Sequence, residues 1–346
     1  MAGLIAFLCA VESLFFAFGI ISMHNGNKYL LYDLGRFRSE IRANLEAERK
    51  GSITGWPQAG QFPIRSHPAI GIVPVCGSAW GGSFTYSDDV SDAEAWPHAL
   101  SVALGCQVDN RGVDGFGLDQ TLIHYKEHAG NERLVILALV EPMITVNQIS
   151  SWTFTSLGPD KQPRPNLTKP FFMLDGDRPQ LTPRPAADPL AIEQHYARDE
   201  SSKDWNAFEF PYSWSISRAV YRKFTRPLFG DFGPGSPAYA PQRRLAAILI
   251  SEIARLARER NQPFVLLIVP RPEDVLDPHL LFQNILDNVP APIPELCTID
   301  PIDELRSVAL TTPNNLVTKS GHYSAAGNAA IAAAAARGLR ACGLAS

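Results

Sequence analysis

The chain has 346 residues, of which 45% are hydrophobic and 19% charged. That is enough chain to bury a core without a disulfide or metal staple, and the apolar content excludes disorder as the main state. A net charge of −4 excludes a generic basic nucleic-acid binder. The five cysteines (Cys9, Cys76, Cys106, Cys297 and Cys342) form no CxxC pair, so neither a zinc ribbon nor a disulfide scaffold is indicated.

Leu4 to Met23 reads LIAFLCAVESLFFAFGIISM, about 20 residues, the length of a membrane-spanning helix. A cleaved signal peptide fits less well, because no Lys or Arg precedes the apolar run. A soluble core helix is the third reading. Glu12 lies mid-span, where a carboxylate needs a polar partner, and another membrane subunit would supply one. Lys28, Arg36, Arg38 and Arg42 follow the helix, which by the positive-inside rule places the main body in the cytoplasm.

Residues 1–25 are therefore expected to form a transmembrane anchor helix, and 26–66 a connector and linker. Within the latter, Tyr29 to Lys50 is polar and partly helical, and Gly51 to His67 is a Gly/Pro/Gln-rich loop. Residues 67–346 form the main domain. Three apolar runs, Ile70–Val75, Leu134–Val140 and Phe264–Val269, read as strands, the latter two buried on both faces. Pro241–Arg260 is an amphipathic helix and Ala325–Leu339 an Ala-rich one. Strands alternating with helices predict a parallel sheet covered on both faces. From about 150 to 235 the chain turns Pro-rich and carries Trp205, Phe208, Phe210, Tyr212 and Trp214. This insertion reads as a satellite core, a sugar-stacking surface or a partner surface. Asn166-Leu-Thr fits a glycosylation acceptor.

Three glycine-punctuated segments can carry chemistry. Gly81-Gly-Ser-Phe-Thr-Tyr86 follows the first strand. A Ser there can expose its hydroxyl at the carboxyl end of the sheet, where open α/β folds bind ligands. Asn110-Arg-Gly-Val-Asp-Gly-Phe-Gly117 can offer backbone N–H groups to an oxyanion. Its G-x-x-G-x-G spacing is no dinucleotide fingerprint, and no suitable strand is expected just before it. Gly321-His-Tyr-Ser-Ala-Ala-Gly-Asn328 opens the last helix, where the dipole favours a neutral imidazole able to accept a proton from Ser. A plain Gly/Ser loop and a capping His are the bland alternatives.

In this order, GGSFTYSDDVSDAEAWPHAL, NRGVDGFGLDQTL and GHYSAAGNAAIA resemble the blocks of the SGNH/GDSL-type hydrolases, over about residues 70–340. Lys169 to Pro185 resembles an insertion in one branch of that family. The resemblance implies a three-layer αβα parallel sheet of flavodoxin-like type. It also implies an extracytoplasmic domain acting on acyl esters. Ser83 would be the nucleophile and His322 the base, with the N–H groups of Ser83 and Gly115 as oxyanion donors. The chain departs from the pattern in several places. Gly82 stands where the family usually has Asp. Pro142 falls at the oxyanion Asn, leaving Asn147 or a displaced Glu141 as substitutes. Lys319 and Ser320 occupy the usual place of the acid, and no Asp or Glu lies between Glu304 and His322. Asp114 and Asp119 read as turn and helix-cap residues.

Two functions follow. One is a membrane-anchored serine esterase or O-acyltransferase-type enzyme, taking an acyl ester and needing no metal or cofactor. The other is a catalytically inactive scaffold subunit of a membrane complex, held through the Glu12 helix. Neither involves nucleic acid.

Overall fold

The computed structural model describes residues 2–24, 65, 68, 73–145, 151–152, 167–176, 178–184, 188, 190–191, 194, 208–225, 239–276, 293–312 and 315–345. Most of the expected connector and linker, together with Asn147, Asn166 and Trp205, lies outside them.

In chain order the elements begin with α1 (Ala2–His24), β1 (Val75–Gly81), α2 (Ser83–Tyr86), α3 (Trp96–Leu104) and β2 (Gln107–Gly112). Then come α4 (Leu118–His128), β3 (Val135–Leu139), α5 (Pro142–Thr145), β4 (Ser151–Trp152), β5 (Leu167–Thr168), β6 (Phe171–Asp175) and β7 (Arg178–Thr182). The chain closes with α6 (Tyr212–Thr225), α7 (Tyr239–Glu259), β8 (Phe264–Ile268), β9 (Cys297–Ile299), α8 (Ile302–Thr311) and α9 (Ala325–Ala341). These elements form two compact units.

The larger unit holds residues 51–147, 169–183 and 240–346. Its sheet is five-stranded and parallel, in the order β2-β1-β3-β8-β9. Every residue of β3 is buried, as its unbroken apolar run requires for a central strand covered on both sides. Ala79, Ile136, Ala138, Val265 and Leu267 face a core shared with Trp96 and Leu100 of α3, Leu305 of α8, and Ile331 and Ala335 of α9. On the opposite face Trp80 meets Tyr125 of α4 edge-on, with ring centroids 5.1 Å apart. The Tyr125 hydroxyl donates to Gln262 just after α7, at 2.9 Å. The result is the expected three-layer α/β architecture. Alanines at the α3–α9 contact let the two helices approach closely.

Three expectations need correction. The first strand is Val75–Gly81, not Ile70–Val75, because small residues rather than an apolar run build it. A strand, β2, does precede the second glycine segment. Its sequence QVDNRG is mostly polar, as an edge strand tolerates, and its alternation of buried and half-buried residues hides it from an apolar search. Disulfides are present: Cys76 pairs with Cys106 and Cys297 with Cys342. The first joins interior strand β1 to the residue just before edge strand β2, and the second joins edge strand β9 to the end of α9.

The Pro-rich region is divided between the units. Hairpin β6–β7 belongs to the larger one, where Phe171 and Phe172 are buried. It is tied down by Lys169, whose ammonium meets the Asp119 carboxylate with both side chains fully buried. Asp119 is thus an ion-pair residue in the first turn of α4, and its Oδ1 also accepts from the Gln120 N–H at 2.8 Å.

The smaller unit holds residues 1–50, 148–168 and 184–239. Helix α1 is long and apolar enough to cross a membrane, and Leu4, Phe7, Leu8 and Leu14 are exposed on it. It packs against α6. Phe16 lies 5.0 Å from Tyr212 and 6.0 Å from Phe208, between ring centroids. Glu12 accepts hydrogen bonds from the Ser213 N–H, at 3.2 Å, and from the Ser213 hydroxyl. Its carboxylate therefore caps the start of α6 within the same chain. Phe210 and Trp214 remain exposed.

Removing one member of a buried ion pair strands the other charge, at a cost of about 3–5 kcal/mol. Lys169→Met is therefore expected to lower the unfolding free energy by that amount in chemical denaturation. Lys169→Met combined with Asp119→Leu should recover most of the loss. Equal stability of the two variants would contradict a charged pair at this position.

Candidate active site

Ser83 opens α2 directly at the carboxyl end of β1. The chain leaves β1 first to β2 on one side and later to β3 on the other, so Ser83 sits at the topological switch point of the sheet. Gly82 is required by close approach: a Cβ there would lie 2.9 Å from the Phe116 carbonyl oxygen. An Asp side chain at this place has no room. The one-turn helix ends in the left-handed region at Ser87 (φ 63°), and Asp89 also has a positive φ of 70°. That double reversal turns Asp89 outward, toward the loop before α9.

His322 does not begin α9 as expected. It lies three residues ahead, in a turn closed by the Thr318 N–H donating to the His322 carbonyl at 2.8 Å. Ser324 is the N-cap, its Oγ accepting from the Gly327 N–H at 3.3 Å. The buried Tyr323 hydroxyl donates to the Pro270 carbonyl at 2.7 Å and anchors the turn. Asn328 links the first and last blocks. Its amide donates to the carbonyls of Tyr323 (2.9 Å) and Ser324 (3.0 Å), and its Oδ1 accepts from the Trp96 N–H at 3.2 Å. Trp96 in turn donates through Nε1 to the Phe84 carbonyl at 3.0 Å. The turn bearing Ser83 and the turn bearing His322 therefore share one buried brace.

The brace brings three side chains into line. Ser83 Oγ is 3.0 Å from His322 Nε2, and His322 Nδ1 is 3.0 Å from Asp89 Oδ2. The imidazole packs on the Phe84 ring, with centroids 5.0 Å apart. Asp89 was not singled out from the sequence, where the acid was sought next to His322. The structure draws it from 233 residues away. The usual acid position is filled by Ser320, whose hydroxyl donates to Asp89, and Thr318 Oγ1 also donates to that carboxylate at 3.0 Å. The bond from Ser320, then those from His322 and Thr318, hold the Asp89 carboxyl below its usual range, so it is an anion at neutral pH.

The other expected site residues divide. Gly115, with φ 74°, lies in the turn after β2, and its N–H is directed at the Asp114 carboxylate. Ser83, as the first residue of its helix, has an N–H without an intrahelical acceptor. Pro142 begins α5 and brings no N–H. Glu141 is turned to Arg271, with Oε2 2.8 Å from Nε. Two further carboxyls, Asp88 and Asp114, stand close to His322. Burial raises both. For Asp88 the nearby Asp114 charge adds to this and pushes the carboxyl up to about 6.

No family model matches the chain, and no curated protein matches it. A search of solved structures finds similarity to "a putative lipolytic protein of G-D-S-L family from Desulfitobacterium hafniense DCB-2". That match is 9% identical, covers 77% of this chain and 99% of the other, and has a TM-score of 0.36.

The raised Asp88 carboxyl has a stability consequence. A carboxyl with a raised folded-state value stabilises the fold below its ordinary value of 3.8, and loses that contribution as pH rises through about 6. Asp88→Asn should therefore melt higher than the unaltered protein above pH 6. The difference should shrink through this window and vanish below about pH 4. A difference independent of pH would contradict the assignment.

Proposed function

We propose that the chain is a membrane-anchored serine esterase or O-acyltransferase-type enzyme acting on acyl esters. The observation that carries this reading is the unbroken contact from Ser83 Oγ through His322 to Asp89. The resemblance of the three sequence blocks to SGNH/GDSL-type hydrolases agrees with it.

In this reading Ser83 Oγ attacks the acyl carbonyl carbon while His322 Nε2 takes the hydroxyl proton. The tetrahedral intermediate collapses, the C–O bond to the alcohol breaks, and His322 returns the proton to the departing oxygen. Water, or a sugar hydroxyl, then attacks the acyl-serine with His322 again as base. Asp89 holds the imidazole with Nδ1 protonated and Nε2 free to accept, and stabilises the imidazolium that forms. The Ser83 N–H serves the oxyanion, and Gly115 joins it once its N–H leaves Asp114. Pro142 supplies no third donor, and each missing donor typically costs about 10²–10³ in rate. A slow enzyme is the expected outcome.

The two disulfides support an oxidising compartment for the main domain, on the extracytoplasmic side of the membrane in which α1 would sit. This opposes the orientation given by the positive charges after α1. The scaffold reading keeps one supporting observation, Pro142, which brings no N–H to the oxyanion. It loses two others, because Asp89 takes the place of the acid and Ser213 partners Glu12.

The test is covalent labelling of the detergent-extracted full chain with a fluorophosphonate probe. Labelling is expected in the unaltered protein, absent in Ser83→Ala and strongly slowed in His322→Ala. Equal labelling of all three, or of none, sinks the enzymatic reading.

A further inference from the structure

We propose that Arg65 is a positioning residue for this site: its guanidinium fixes the Asp89 loop so that the acid meets His322. The proposal rests on the reading of Ser83, His322 and Asp89 as a triad.

Arg65 lies in the segment that the sequence marks only as linker, yet its side chain is 8% exposed. Nη1 donates to the carbonyls of Tyr86 and Ser87, both at 2.5 Å, and Nη2 donates to the Val90 carbonyl. Nε donates to Asp92 Oδ1 at 2.7 Å, and the guanidinium carbon sits 4.9 Å from the Tyr86 ring centroid. These four acceptors bracket Asp88 and Asp89 on both sides.

The bracketed loop needs such a clamp. Ser87 and Asp89 are both non-glycine residues with positive φ, 63° and 70°. That conformation is disfavoured for side chains with a Cβ and persists only where surrounding contacts over-determine it. The carbonyls of Tyr86 and Ser87 point into a buried position and need donors there. A planar fork with five N–H groups reaches several acceptors at once; a lysine ammonium, a compact point charge, does not. Arg65 touches neither Ser83 nor His322 through any of these bonds, so its effect on the chemistry runs through Asp89. The Asn328 brace holds the His322 turn without any bond to Arg65.

The experiment is fluorophosphonate labelling of the full chain, comparing the unaltered protein with Arg65→Ala, Arg65→Lys, Asp89→Asn and the Arg65→Ala/Asp89→Asn pair. Each Arg65 variant is expected to lower the maximal labelling rate by tenfold or more. The probe concentration at half-maximal rate and the fraction finally labelled should stay unchanged. The double variant should be no slower than Asp89→Asn alone, because both changes remove the same function. Added guanidinium ion should restore part of the rate to Arg65→Ala and none to the double variant. A merely structural role would lower the labelled fraction instead, and its loss would multiply with that of Asp89→Asn. Either result overturns the proposal, as does a wild-type rate in both Arg65 variants. If Arg65→Ala does not fold, Arg65→Lys decides by the same rate and fraction. Absence of labelling in the unaltered protein would instead overturn the enzymatic reading itself.

Discussion

The hydrogen bond between His322 and Asp89 is the contact on which the rest of the site depends. Without it the chain holds a Ser and a His within reach of each other, and the ring is left with its packing on Phe84 and a long contact to Ser320. With it, the imidazole has one nitrogen committed to a carboxylate and the other left to accept a proton from Ser83. The contact demands that two loops far apart in sequence meet. The fold supplies that meeting, because β1 lies inside the sheet and the loop before α9 is braced against the start of α3 through Asn328 and Trp96.

The carboxylate that meets His322 comes from the loop after α2. In the family the sequence resembles, the acid sits beside the His. Here that place holds Lys319 and Ser320, and Ser320 becomes a donor to an acid arriving from the other side. The price is a loop with two positive-φ residues, and the Arg65 guanidinium is what holds it. Asp88 stands half-buried, and burial first, then the Asp114 charge, penalises its anion above about pH 6. This cluster of carboxyls around one imidazole shows why the loop needs fixing: three neighbouring acids, of which one alone is aligned with Nδ1.

Much of the architecture was legible in the residues. The runs LVILALV and FVLLIV announced central strands, and the Ala-rich stretch announced a closely packed helix; all three lie where expected to within two residues. What escaped notice had physical reasons. Strand β1 is built from Gly77, Ser78 and Ala79, and β2 from alternating polar residues at an edge, so neither shows an apolar run. The disulfides join cysteines 30 and 45 residues apart, spacings that carry no local signature. Ser83, His322 and Gly115 stood out because glycines and small residues surround them. Asp89 and Arg65 did not, because their significance arises from backbone reversals and long-range contacts that no local window contains.

The measurement that bears most directly on this account is the rate at which a fluorophosphonate labels Ser83 in the folded Asp89→Asn variant. An amide there keeps the size of the side chain but lets the imidazole adopt the wrong tautomer. In the triad template that change costs up to about 10⁴ in rate. The account predicts a loss of at least about a hundredfold on that scale, with circular dichroism unchanged. Labelling of Asp89→Asn at the rate of the unaltered protein would contradict it.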